Sequence, residues 1–155
     1  MDLPTLRLAS IQLTPALLEQ FLTYQRSLVT ELDKSTAEQD WSGRFAFAHS
    51  HALAQAKLDA VAYGKLKALI HDWCAKQSSL LHIKERLKSA QALPEPSPKE
   101  LGLIARATKE LPDLETSTEF ADRYGAEAVS ILSAHGDEVL RLHREVAHRE
   151  GCTRI

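Results

Sequence analysis

The chain is poor in the residues that punctuate β-rich folds: 6 Gly and 6 Pro in 155 residues. So few turn-formers argue against a loop-rich or all-β domain and leave helices as the main element. Neither charge sign dominates; the formal net charge is −2, with 19 Lys and Arg against 21 Asp and Glu. That removes the electrostatic case for broad nucleic-acid binding, and none is expected. No apolar run approaches the roughly 20 residues of a membrane span, and the opening "MDLPTLRLASIQLTP" lacks a basic segment followed by an apolar one. The expectation is a cytoplasmic protein with no membrane association. Cysteine is scarce: Cys74 and Cys152 lie far apart and form no pair of metal-type pairs, so two free thiols in a reducing compartment are expected. There is no Gly-x-Ser-x-Gly elbow and no glycine-rich phosphate loop.

What is present is helical periodicity. Hydrophobic residues make up 44% of the chain, too many for disorder, and the length suits one domain over 1–155. Thr14-Pro15 opens a first helix over about 14–34, with Leu18, Phe21, Gln25, Leu28 and Leu32 on one stripe. A long second helix is predicted over 45–90, with Leu58, Val61, Leu66, Leu69, Trp73 and Leu80 in one sector and a break or kink at Ser78-Ser79. "ALPEPSP" is the clearest loop. It leads into Ser97-Pro98-Lys99-Glu100, a capping box, and a third helix over 97–111 that Pro112 ends. Thr116-x-x-Glu119 reads as a second capping box, opening a helix over 117–149 with Phe120, Tyr124, Ala128, Ile131, Leu132, Val139, Leu142 and Val146 inward. The predicted fold class is all-α: an antiparallel bundle of about four main helices with short loops.

The residue that stands out is His135, in Ile131-Leu-Ser-Ala-His135-Gly-Asp-Glu138, where the stripe calls for an apolar side chain. A core histidine needs a hydrogen-bond partner on a facing helix, and Tyr24 and Gln25 are the candidates. The alternative makes His135 a metal ligand or a proton-transfer residue. His49 and His51 form a weaker metal pair: two residues apart they diverge by about 200° on a helix, but share a side in an extended loop. Cys74 sits three residues after His71, half of a zinc site with no second half in sequence. Cys74 itself reads as an inert thiol on a helix flank. Glu145-x-x-His148 has the spacing used in di-iron bundles, but there is one copy where two are needed, and it points away from the stripe. His143 and His148 are five apart, roughly 140° around a helix, so they cannot share one metal. Arg141, Arg144, Arg149 and Arg154 interleave with Glu138, Glu145 and Glu150, a salt-laced solvent face.

No cofactor is predicted. The leading expectation is a protein–protein interaction or regulatory module, working on a protein partner or by self-association. Ile70 and Leu81, which widen the apolar face of the second helix, supply the motive for association. The alternative is a helical bundle organised around His135 that binds a metal or small ligand, with enzymatic activity left open.

Overall fold

A computed structural model describes residues 11–34 and 40–151. Among the described residues the protein is all-helical, with no strand; its helices are α1 (Pro15–Lys34), α2 (Trp41–Ala56), α3 (Ala60–Gln91), α4 (Pro98–Glu115), α5 (Thr118–Tyr124), α6 (Ala126–Ala134) and α7 (Gly136–Arg149). Seven helices among the described residues thus stand where about four main helices were expected. No described helix is long and apolar enough to cross a membrane.

The first helix starts as its sequence dictates: the Leu17 N–H donates to the Thr14 hydroxyl at 3.1 Å, and Leu18, Phe21, Gln25, Leu28 and Leu32 are all buried. The predicted second helix needs correction. It starts at Trp41, capped by Asp40, and breaks at Lys57–Asp59 rather than at Ser78-Ser79, which remains helical. Lys57 takes a left-handed conformation (φ 56°), and its N–H closes back on the carbonyls of Leu53 and Ala54. Asp59 then caps α3 by accepting from the Ala62 N–H at 2.8 Å. The cue was an aspartate three residues ahead of a free helical N–H, hidden by a leucine at 58 that fits a continuous stripe. Across the chain, Gln20 of α1 donates to the carbonyls of Ala56 and Lys57 and so helps to finish α2.

The Ser97–Glu100 capping box forms as predicted. Pro112 does not end α4, which continues to Glu115. The carbonyl left without a helical donor belongs to exposed Thr108, where solvent can replace the lost bond. The second capping box does not form. Ser117 adopts a left-handed conformation (φ 54°) without a side-chain cap, and the Thr116 hydroxyl donates back to the Asp113 carbonyl. The predicted last helix is three helices. Gly125, at φ 97°, separates α5 from α6, and His135 separates α6 from α7.

The core is built mainly from α1, α2, the first half of α3, and α6 and α7. Leu18, Leu22 and Leu28 of α1 meet Ala48 and Ala52 of α2, Leu66, Leu69 and Trp73 of α3, and Leu132, Val139 and Leu142 further on. Alanines on the buried face of α2 let α1 lie close against it. Ion pairs fasten α7 to α1: Arg149 grips Asp33 with two bonds of 2.8 and 3.0 Å, and Arg26 pairs with Glu138. Such exposed pairs add orientation more than stability.

The second half of α3 leaves this core. Beyond Cys74 its one buried residue is Ala90, and the one buried residue of α4 is Ala107; neither belongs to the core cluster. The extensive partner of α4 among the described residues is α3. The two helices form a hairpin arm of roughly 25 Å, from 17 residues of α3 at 1.5 Å each.

Candidate functional site

His135 does not occupy the core. It lies exposed at the junction of α6 and α7, with φ −115° and ψ 16°. Its N–H reaches back three residues to the Leu132 carbonyl, and its own carbonyl accepts from Val139. Leu132 and Val139 stay buried while the non-helical backbone at His135, between them, leaves its side chain exposed. The adjoining hollow is lined only by Ser133, Ala134, His135, Gly136, Asp137 and Glu138, a single turn of chain. Of the partners proposed for a buried His135, Gln25 is buried with Oε1 unpaired, and Tyr24 bonds elsewhere.

His49 and His51 lie within α2, not in an extended loop, and diverge as two helical residues must. His51 faces Glu31, Nε2 to Oε1 at 3.6 Å, and stacks on Phe47. His49 turns inward. His71 stands beside His143, ring centroids 5.7 Å apart, and burial first, then the neighbouring His71 and Arg144, hold the His143 pKa below its usual value. Cys74 lies in the core rather than on a flank, and burial pushes its thiol up to about 12, far from a reactive thiolate. Among the described residues, no three His, Cys, Asp or Glu side chains converge as a metal-binding group.

Two clusters do assemble from separate helices. The first is aromatic. Tyr24 of α1, His49 of α2 and Tyr63 of α3 meet ring against ring, with Tyr24 and Tyr63 centroids 4.8 Å apart and His49 and Tyr63 also 4.8 Å apart. Phe45 stacks on His49 nearly parallel, and Phe21 packs beside both tyrosines. The Tyr24 hydroxyl lies 2.8 Å from His49 Nδ1 and 3.3 Å from the Tyr63 hydroxyl. Burial, and then the positive charge of Lys67, lowers the His49 pKa, which favours the neutral ring. Tyr24 has one proton to give. It goes to the Tyr63 hydroxyl oxygen, which leaves the Tyr24 oxygen to accept from His49 and puts the proton of the neutral ring on Nδ1. Burial and the Tyr63 bond drive the Tyr24 pKa far upward, so the phenol stays protonated. With Tyr24 buried, this cluster locks three helices together and gives a substrate no path to its central hydroxyl.

The second cluster lies at the root of the arm, in a cleft of about 300 Å³ between α3, the end of α4, and α5. Phe120 and Tyr124 form its aromatic wall, centroids 4.6 Å apart. The Tyr124 hydroxyl donates to Asp72, and burial together with that carboxylate pushes the phenol up to about 12. Arg123 completes the corner, 3.3 Å from Asp72 and 5.3 Å over the Tyr124 ring. The native arginine thus occupies the cation position that this corner offers.

The arm carries the remaining unusual surface. Leu81 is 42% exposed and Leu101 is 54% exposed. Ile70 was expected on a second sticky face but is buried by its own chain. Other exposed large side chains already have local partners: Trp41 packs on Phe45 and Phe47 on His51. Comparison with family models, curated proteins and solved structures gives no match to this chain.

Proposed function

We propose that this chain is a cytoplasmic protein-interaction module that presents its α3–α4 arm to a helical protein partner. The observation that carries this reading is the arm's separation from the core: two helices held together by small buried residues, Ala90 and Ala107, with leucines left toward solvent. Apolar side chains on a projecting hairpin gain by burial against further helices, at roughly 25 cal/mol for each Å² removed from water. The body supplies rigidity. Its aromatic lock and the α1–α7 ion pairs hold the base from which the arm projects. The two clusters built across helices have their polar groups paired internally, Tyr24 with His49 and Asp72 with Arg123 and Tyr124, which favours a structural role for both.

The test is site-specific photo-cross-linking in cells. A photoreactive residue at Leu101 should give a discrete protein adduct, with the joined segment of the partner helical by mass spectrometry. The same residue at Val61, which is exposed on the body end of α3, is the control. Equal labelling from both positions, or none from Leu101, would refute the reading.

A further inference from the structure

We infer that His71 of α3 and His143 of α7 form an open binding site for a late first-row divalent metal ion, Zn²⁺ or Cu²⁺, with water in the remaining positions. In sequence, His71 has only Cys74 beside it as a possible second ligand. The fold supplies a different one. Of the 7 histidines, these are the two whose rings meet each other. Each directly follows a core residue: Ile70 is buried just before His71, and Leu142 just before His143. Packing therefore fixes both backbones, while His71 is exposed and His143 half-buried. Among the described residues neither ring has a hydrogen-bond partner, unlike His49, which is held by Tyr24.

The spacing of the rings suits a shared ion. A metal about 2.1 Å from an imidazole nitrogen lies roughly 3.2 Å from the ring centroid, so two rings on one tetrahedral ion have centroids about 5.2 Å apart. The observed separation is 5.7 Å. Closing the last half ångström or so takes small turns about the side-chain bonds, and the broad ring torsion of histidine lets either nitrogen face the ion. Neither helix has to move.

The donor set selects the ion. Two imidazoles with no converging carboxylate suit Zn²⁺ and Cu²⁺, with Cu²⁺ the tighter, and do not suit Mg²⁺ or Ca²⁺. Cys74, one turn beyond His71, is buried with its thiol pushed up to about 12, so it stays protonated and adds no third ligand. A phosphate would need protonated rings, against the direction in which burial, His71 and Arg144 drive His143; a metal takes the neutral ring. Arg144 opposes any cation here, but it is exposed and its field is screened by salt. The pair belongs to the body of the protein, so this site is independent of the reading of the arm.

The test uses the full chain, purified without a metal-affinity tag, and Zn²⁺ as the probe. In a titration at pH 7 followed by NMR of the histidine ring protons, the His71 and His143 signals should shift together. They should saturate with one dissociation constant below about 100 µM, while exposed His135 and His148 stay behind. His71→Ala and His143→Ala should each weaken binding at least about tenfold, and the double variant should be little worse than either, because one ligand alone gains nothing from the other's position. Arg144→Glu should tighten binding several-fold by replacing a repelling charge with an attracting one. Mg²⁺ should move neither signal. The wild-type titration is decisive even for a variant that folds poorly. Shifts of His71 and His143 at different Zn²⁺ concentrations, or no earlier than those of His135 and His148, would reduce the binding to adventitious ions and overturn the inference. So would affinity indifferent to His71→Ala. Movement of the two rings with inorganic phosphate but not with Zn²⁺ would assign the pair to an anion and overturn the metal site.

Discussion

Tyr24→Phe removes one oxygen from the centre of the aromatic lock and nothing else. Tyr24 is 2% exposed, so no water enters to replace its hydroxyl. The variant loses the 2.8 Å bond to His49 Nδ1 and the 3.3 Å contact with Tyr63. A buried hydrogen bond contributes about 0.5–1.5 kcal/mol net, and stranding a buried partner adds to the loss. The Nδ1–H is stranded outright, because the Phe45 ring stacked on His49 offers no acceptor, whereas half-buried Tyr63 can turn to solvent. The expected cost is therefore about 1–2 kcal/mol, mostly from the His49 bond. With a urea slope near 1.5 kcal/mol per molar, the midpoint should fall by about 1 M with the slope unchanged. Tyr63→Phe removes only the longer contact and should cost about 0.5 kcal/mol or less. The two variants side by side make the measurement decisive. A Tyr24→Phe cost below about 0.3 kcal/mol, or a larger cost for Tyr63→Phe, would refute the assignment of Tyr24 as the acceptor that holds neutral His49.

Further expectations follow from the same geometry. His49 and His143 both have folded pKa values below the ordinary histidine value, so the unfolded chain takes up protons first. Stability should hold above pH 7 and fall as pH drops through about 6.5 and below, in urea titrations at a series of pH values; a flat profile from 7.5 to 5.5 would contradict it. A second loss should follow below about pH 4 as Asp33 and Glu138, held low by Arg149 and Arg26, are protonated. His135→Ala should change stability by no more than about 0.5 kcal/mol, whereas a core histidine would cost several times that; differential scanning calorimetry distinguishes the two. Gly64→Ala, in the interior of α3 with open space around its Cβ, should stabilise by roughly 0.5–1 kcal/mol; Gly125→Ala, at φ 97°, should destabilise by about 1 kcal/mol or more, and equal shifts in melting temperature would refute the backbone argument.

Helix identity was legible in this sequence and helix punctuation was only partly so. The Thr14-Pro15 start and the Ser97–Glu100 box are local chemistry, and both formed as read. The stripe of α1 was legible because every inward residue lies on one uninterrupted helix. The failures came where chain direction changes without a strong signal. Lys57 supplies a left-handed turn that sequence assigns to Gly or Asn, so the α2–α3 break passed as helix. Pro112 looked like a stop, yet an exposed carbonyl can lose its donor at little cost. Ser117 turned left-handed inside what read as a capping box.

The candidate site was less legible, for a reason that His135 and His49 make plain. A helical wheel assigns a side chain to the core only if the axis stays straight through it. At His135 the helix is interrupted, and the same sequence that places Leu132 and Val139 inside puts the histidine between them outside. His49 had the opposite fate. Its paired spacing with His51 suggested a shared ligand, but its partners are Tyr24, 25 positions earlier, and Tyr63, 14 positions later, brought together by the turn at Lys57 and the packing of α1 on α2. No local spacing encodes such a meeting. The arm obeys the same logic. Leu81 and Leu101 each look like ordinary apolar residues on their own helices, and only the pairing of α3 with α4 shows that both are left exposed. The Lys84–Glu115 ion pair makes the same point: it joins residues 31 positions apart on two helices, a meeting that neither helix's own pattern encodes.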